Sequence, residues 1–376
     1  MTHRHSAEAG AVSLFVVIFA ALLLSVVTVS FIRVMNQEQQ QATNNDLSQS
    51  AYDSAIAGVE DAKRVIMACN EGNTQACTAI NDGSSCSTTA DAGIAAEVTR
   101  NTNTEVPIET STSGGRELDQ AYTCVKIDRT SSDYLVDLQE GQTVMIPLRG
   151  VSDVRSLAIN WFKEERDKIS PANAASALAT LGSFSNQLPK RAQWPANGPA
   201  LMEAQIIQPN ESFTVADLDA DEATQTVFFY PSTIGLSAVD LAAVDRESPS
   251  TPRATRCSDS QYATGGYMCS VRATLSRTLP ANSDVAYLRL TALYRPSSVQ
   301  IQLFNAGGQP VDFNGVQFTV DSTGRANDLF RRVESRLTVA PSDFPYPDGA
   351  VELGGSLCKD FWVASNTAGD SGTCTP

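Results

Sequence analysis

The chain has 376 residues with 27 Lys and Arg against 42 Asp and Glu, a net charge of −15, and only 18% of its side chains are charged. That balance excludes a nucleic-acid binder built on clustered cations. Histidine occurs only at His3 and His5, which excludes histidine triads, HExxH metal sites and imidazole proton relays from the rest of the chain.

Residues 11–32, AVSLFVVIFAALLLSVVTVSFI, run without a charged side chain behind a polar leader, residues 1–10, that ends in Gly10. As a helix this run is about 33 Å long, enough for a hydrocarbon core of about 30 Å. It is longer than the apolar core of a secretory signal and has no small-x-small cleavage site behind it. A retained transmembrane segment is therefore expected. Gln37–Ile66 contains no proline, and Leu47, Ala51, Ala55, Val59, Ala62 and Ile66 recur every three or four residues. That spacing predicts one helix continuing to about Cys69, with a narrow alanine-rich stripe suited to close packing on a sheet or another helix. A stalk that holds a domain off the membrane is the plainer reading of the same residues.

The glycine-ended leader, the apolar helix behind it and the segment DLSQSAYDSAIAGVEDAKR resemble type IV pilins, most closely the PilX-type minor pilins. The resemblance covers about residues 1–70. It implies processing by a prepilin peptidase between Gly10 and Ala11. It also implies other pilins as partners, met through a helix face that includes Phe15, Leu47, Ala51, Ala55, Val59 and Ala62. Phe15 stands where major pilins carry a glutamate. The resemblance therefore implies a minor, initiating or tip subunit in place of the main filament subunit. The implied role is assembly initiation or adhesion, with the membrane and a host or surface ligand as further partners and no cofactor. The alternative is a membrane-anchored extracellular binding or adhesion domain outside any filament. A surface glycosidase with two carboxylates is a third reading.

Residues 70–120 are rich in Asn, Thr, Ser, Gly and Ala and are expected to be an irregular connecting region, with one short helix near Asp91–Val98. They read equally as a partner-contacting loop and as a flexible connector. Eight cysteines all follow the apolar run: Cys69, Cys77, Cys86, Cys124, Cys257, Cys269, Cys358 and Cys374. With no CxxC among them, disulfides in an oxidising compartment are expected rather than zinc. That places the body of the chain outside the cell, as a single-pass protein at the cell surface or on a pilus. Pairing neighbours gives Cys69–Cys77, Cys86–Cys124, Cys257–Cys269 and Cys358–Cys374, and the last loop resembles the one that closes many pilin domains.

From Tyr122 strand patterns dominate: YTCVKI, DYLVDL, QTVMIPL, SLAINWF, LMEAQII, TVFFYP, YMCSVRATL, DVAYLRLTALY, SVQIQLFN, GVQFTV and the stretch around Val333 and Leu337. Short helices are expected near Pro171–Leu181 and Ala238–Val244, a linker or exposed loop at 248–256, and a turn at Asn314–Gly315. The expected fold class is α+β: a long N-terminal helix followed by a mainly antiparallel, sandwich-like, disulfide-tied β domain over 121–376, as one body or two. Asp217, Asp219 and Asp221 alternate as calcium ligands can, but Glu222 occupies the sixth position, where an EF-hand has glycine. A solvated acidic loop is the simpler account. Ser356 and Lys359 have SxxK spacing without further partners. The chain has no Walker A, GxGxxG or GxSxG motif.

Overall fold

A computed structural model describes residues 9–82, 85–100, 103–109, 119–182, 189–208, 224–241, 252–283 and 285–338. Helix α1 (Ala9–Asn70) is one uninterrupted helix of 62 residues. It stops where glycine first permits a left-handed residue. Gly72 has φ +92°, its N–H donates to the Cys69 carbonyl (3.0 Å), and the Asn73 N–H donates to the Ala68 carbonyl (2.9 Å). This is a Schellman cap. The chain then divides into two compact units.

The first unit comprises Met1–Val65, Thr74–Lys126 and Val320–Ser335. Besides α1 it holds α2 (Thr74–Asp82), α3 (Thr88–Asp91), β1 (Val98–Arg100) and β2 (Asn103–Glu109). Parts of β3 (Gln120–Ser131), β15 (Phe313–Ala326) and β16 (Leu329–Leu337) complete a sheet of order β1-β2-β3-β15-β16. The described residues between 70 and 109 thus form more regular structure than their composition suggests, and the short helix lies at Thr88–Asp91, ahead of the predicted 91–98, where Val98 instead starts a strand. Two tertiary ties account for this. Ala76, Ala79 and Ile80 bury one side of α2, and the Cys86–Cys124 disulfide (Cα–Cα 4.4 Å) fastens the segment to β3. Within the sheet, Arg325 on β15 spans to β2. Its Nη2 donates to Glu105 Oε2 at 2.8 Å, its Nε to the same oxygen at 3.0 Å, and its Nη1 to Asp119 Oδ2 at 2.8 Å. The Arg325 and Glu105 side chains are almost wholly withdrawn from solvent.

The second unit comprises Ile66–Asn73, Ile127–Thr319 and Arg336–Pro376. One of its sheets has the order β14-β13-β6-β11-β9, with β4 also on β13; the other has the order β10-β8-β7-β12-β5. Their members are β4 (Tyr134–Leu138), β5 (Thr143–Pro147), β6 (Val154–Lys163), β7 (Leu201–Ile207), β8 (Thr224–Ser232), β9 (Ala238–Asp240), β10 (Arg253–Arg256), β11 (Tyr267–Leu279), β12 (Tyr287–Leu293), β13 (Ser297–Phe304) and β14 (Pro310–Val311). Pairing is antiparallel except for β8 with β10 and β9 with β11. Both sheets feed one core: Leu157, Ile159 and Trp161 of β6 and Val299, Ile301 and Leu303 of β13 join Met202, Ala204 and Ile206 of β7 and Leu288 and Leu290 of β12. The glutamines that alternate in β13 face away from that core. The Asn160 Nδ2 donates to Gln300 Oε1 (3.1 Å), and Ser270 Oγ donates to Asn160 Oδ1 (2.6 Å). Strand β12 turns Leu288, Leu290 and Ala292 into that core and has neighbours on both sides, β7 and β5.

Outside the sheets lie α4 (Glu164–Asp167), α5 (Pro171–Leu181), a 3₁₀ turn (Arg191–Gln193) and α6 (Asp259–Ala263). Helix α5 matches its predicted bounds because Pro171 opens it and Gly182 follows its last residue.

Three expectations change. Ala238–Asp240 is the strand β9, parallel to β11; 242–244 lie outside the described residues. Of the predicted linker, Arg253–Arg256 is the strand β10, parallel to β8, with Thr255 buried. Both segments are short, so tertiary pairing rather than local pattern decides them. The reversal after β13 is at Asn305–Gly308, where the Gly308 N–H donates to the Asn305 carbonyl. Asn314–Gly315 instead lies within β15, with Gly315 at φ +67°. The Cys257–Cys269 disulfide is formed as paired above, and Cys69 and Cys77 are both disulfide-bonded. Cys358 and Cys374 lie outside the described residues.

Replacing Arg325 by Ala leaves Glu105 buried without its guanidinium. The expected loss is about 3–5 kcal/mol of unfolding free energy, read from urea denaturation of the purified protein. Burial also raises the phenol pKa of Tyr122, Tyr134 and Tyr262, and pushes that of Tyr267 up to about 12. The folded chain holds these protons more tightly than the unfolded chain, whose tyrosines release them near pH ~10. Their contribution is complete below pH ~10 and is lost as pH rises beyond it. Stability should fall steeply above pH ~10, with part of the tyrosinate absorbance appearing only on unfolding.

Candidate functional site

The candidate site is α1 itself, because two stretches of one helix meet different surroundings. From Leu14 to Met35 every large apolar side chain is at least half exposed, Phe15 at 73%. Mean hydropathy reaches 2.8 in its most apolar window, none of which is buried inside the chain. This is one segment long and apolar enough to cross a membrane. Two of the hydroxyls in it are satisfied locally: Ser25 Oγ donates to the Leu22 carbonyl (2.8 Å) and Thr28 Oγ1 to the Leu24 carbonyl (2.5 Å). Neither needs a neighbouring helix, so both are compatible with a dry environment. Gly10 and Ala11 are helical in backbone.

From Ala51 onward the same helix is packed. Ala51, Ala55 and Ala62 are fully buried, and Val59 nearly so. The stripe read from sequence is real, and within the first unit it is covered by the chain's own sheet. Two glycines set the separation. A Cβ on Gly324 of β15 would stand 2.2 Å from the Ala51 carbonyl oxygen and 2.2 Å from the Ala55 nitrogen. A Cβ on Gly58 of α1 would stand 2.4 Å from Ser322 Oγ. Backbone thus lies almost on backbone, a geometry only glycine and alanine permit. Ala51, Ala55, Val59 and Ala62 were expected to serve assembly between helices; their faces are instead occupied by this sheet. Phe15 remains bare.

Polar contacts fix the packed stretch. Tyr122 of β3 donates its hydroxyl to Asp61 Oδ2 of α1 (2.8 Å) and lies 3.4 Å from Thr89 Oγ1. Asp61 also accepts from Arg64 Nη1 (2.9 Å). Arg331 of β16 donates through Nε to Ser48 Oγ (2.8 Å). Leu47 is half buried and lines an open cavity of about 500 Å³ with Asn44, Asp119, Asn327, Asp328 and Leu329. Sequence reading missed Gly324, Gly58 and Tyr122. The Ala-x3-Ala-x2-Gly-x3-Ala spacing of 51–62 carried the signal for Gly58, whereas Gly324 and Tyr122 lie too far along the chain for any local pattern to reach.

Among the described residues no group of three or more His, Cys, Asp or Glu side chains is placed to hold a metal ion. Asp217, Asp219 and Asp221 lie outside them. No family model matches the sequence, no curated protein matches it, and no solved structure matches the fold.

Substituting Gly324 by Val should break the helix–sheet contact. Overpacking against backbone is expected to cost about 3 kcal/mol or more, seen as a lowered urea midpoint. Valine at exposed Val98 replaced by Ala is the neutral control.

Proposed function

We propose that the protein is a type IV pilin-like minor subunit that is anchored, and assembled, through the bare stretch of α1 and displays its β-rich body outside the cell. The observation that carries this reading is the division of α1. Its membrane-length stretch has no cover among the described residues, while its continuation is locked onto the domain's own sheet by Gly58 and Gly324. A helix so divided can leave lipid for a bundle of like helices without disturbing the domain, because both surroundings are apolar. Disulfides at Cys86–Cys124 and Cys257–Cys269 support an oxidising location for the body. Phe15, apolar and exposed, supports a subunit that joins others without a buried carboxylate. The body then serves assembly initiation or surface adhesion.

The test is the N-terminal peptide of the protein, identified by mass spectrometry in sheared filaments and in membranes separately. A chain beginning at Ala11 in filaments is the expected result. A chain beginning before Gly10 and confined to membranes would refute filament assembly and leave an anchored binding domain.

A further inference from the structure

Strand β16 is the last strand of its sheet, with β15 beside it and, among the described residues, no strand on its other edge. It is joined to β15 by a two-residue turn, Asn327–Asp328, with Asn327 at φ +48°. Its nine residues, LFRRVESRL, contain neither proline nor glycine, so nothing in the backbone blocks a further partner. Phe330 is 54% exposed, and Arg331, Arg332 and Glu334 are exposed too. An open edge of this length is a template for another strand.

The strand is complementary to itself. Laid antiparallel on a second copy with Val333 opposite Val333, it sets Arg332 against the second copy's Glu334, and Glu334 against the second copy's Arg332. Arg331 then meets Ser335, and Leu329 meets Leu337. Side chains alternate between faces, so the two charge pairs share one face, and Val333 with Leu329 lies on the other. Moving the centre by one residue puts Arg332 on Arg332, or Glu334 on Glu334, which is repulsive. Charge therefore disfavours a slip of one residue in either direction. Arg332 already pairs with Asp321 of β15, and its guanidinium has donors enough for a second carboxylate. We propose that β16 pairs with β16 of a second copy of this chain about a twofold axis through Val333. The symmetry is isologous and closed, so the pairing makes a dimer and does not propagate. This inference does not depend on the pilin reading.

The test uses the full-length protein in detergent, with its mass followed by sedimentation velocity across a concentration series. A dimer is expected. Glu334→Arg should weaken it by roughly tenfold or more, because two symmetry-related pairs change from attraction to repulsion. The double variant Arg332→Glu/Glu334→Arg should restore it. Val333→Cys should give an interchain disulfide-linked dimer on a non-reducing gel, while Phe330→Cys, far from its own counterpart in this register, should not. The cysteine pair keeps the test decisive if the double variant folds poorly beside Asp321. A wild-type monomer at all concentrations, a dimer indifferent to Glu334→Arg, or equal cross-linking at 330 and 333 would overturn the proposal.

Discussion

The approach of β15 to α1 at Gly324 is the contact on which the first unit depends. A side chain of any size at that position would collide with the backbone of Ala51 and Ala55. The helix answers with alanines at 51, 55 and 62 and with Gly58. Small residues contribute little apolar area each, so the stability of such a contact comes from close packing and from the polar ties beside it. Tyr122 to Asp61 and Arg331 to Ser48 are those ties. A long helix with a weak outward-facing pattern is thereby held without a broad hydrophobic face.

The same economy of side chains explains why the rest of α1 behaves differently. Between Leu14 and Ile32 the helix is apolar on all sides. No single face is distinguished, and a uniform apolar cylinder requires a uniform apolar solvent. Ser25 and Thr28 fold their hydroxyls back onto the helix, which removes the main obstacle to that solvent. The helix needs no break between its two environments, because the peptide hydrogen bonds are internal in both.

Much of this was legible in the sequence because it is written locally. The membrane-length run, the alanine stripe from Ala51 to Ala62, the bounds of α5 and the alternating strands β7, β11 and β13 each follow from residues within one turn or one pleat of each other. What escaped reading is set at long range. Strands β9 and β10 are three and four residues long and exist through parallel pairing with β11 and β8. The tie between the segment holding α3 and strand β3 comes from Cys86 reaching Cys124, 38 residues further on. The site was half legible: the helix stripe could be seen, but its partner could not, since Gly324 lies more than 250 residues further along. A stripe suited equally to a sheet or a neighbouring helix is resolved only when the sheet is present. The buried pair of Arg325 with Glu105 is of the same kind, joining residues 220 apart.

The central claim is that one continuous helix changes surroundings along its length. A nitroxide scan along α1 in lipid bilayers, comparing accessibility to oxygen and to a water-soluble nickel reagent, tests it most directly. The account predicts oxygen access at every position from Leu14 to Ile32, with no helical period. Beyond Ser48 it predicts low access to both reagents at 51, 55, 59 and 62, alternating with nickel access between them. Nickel access throughout 14–32, or a helical period of protein burial there, would contradict it.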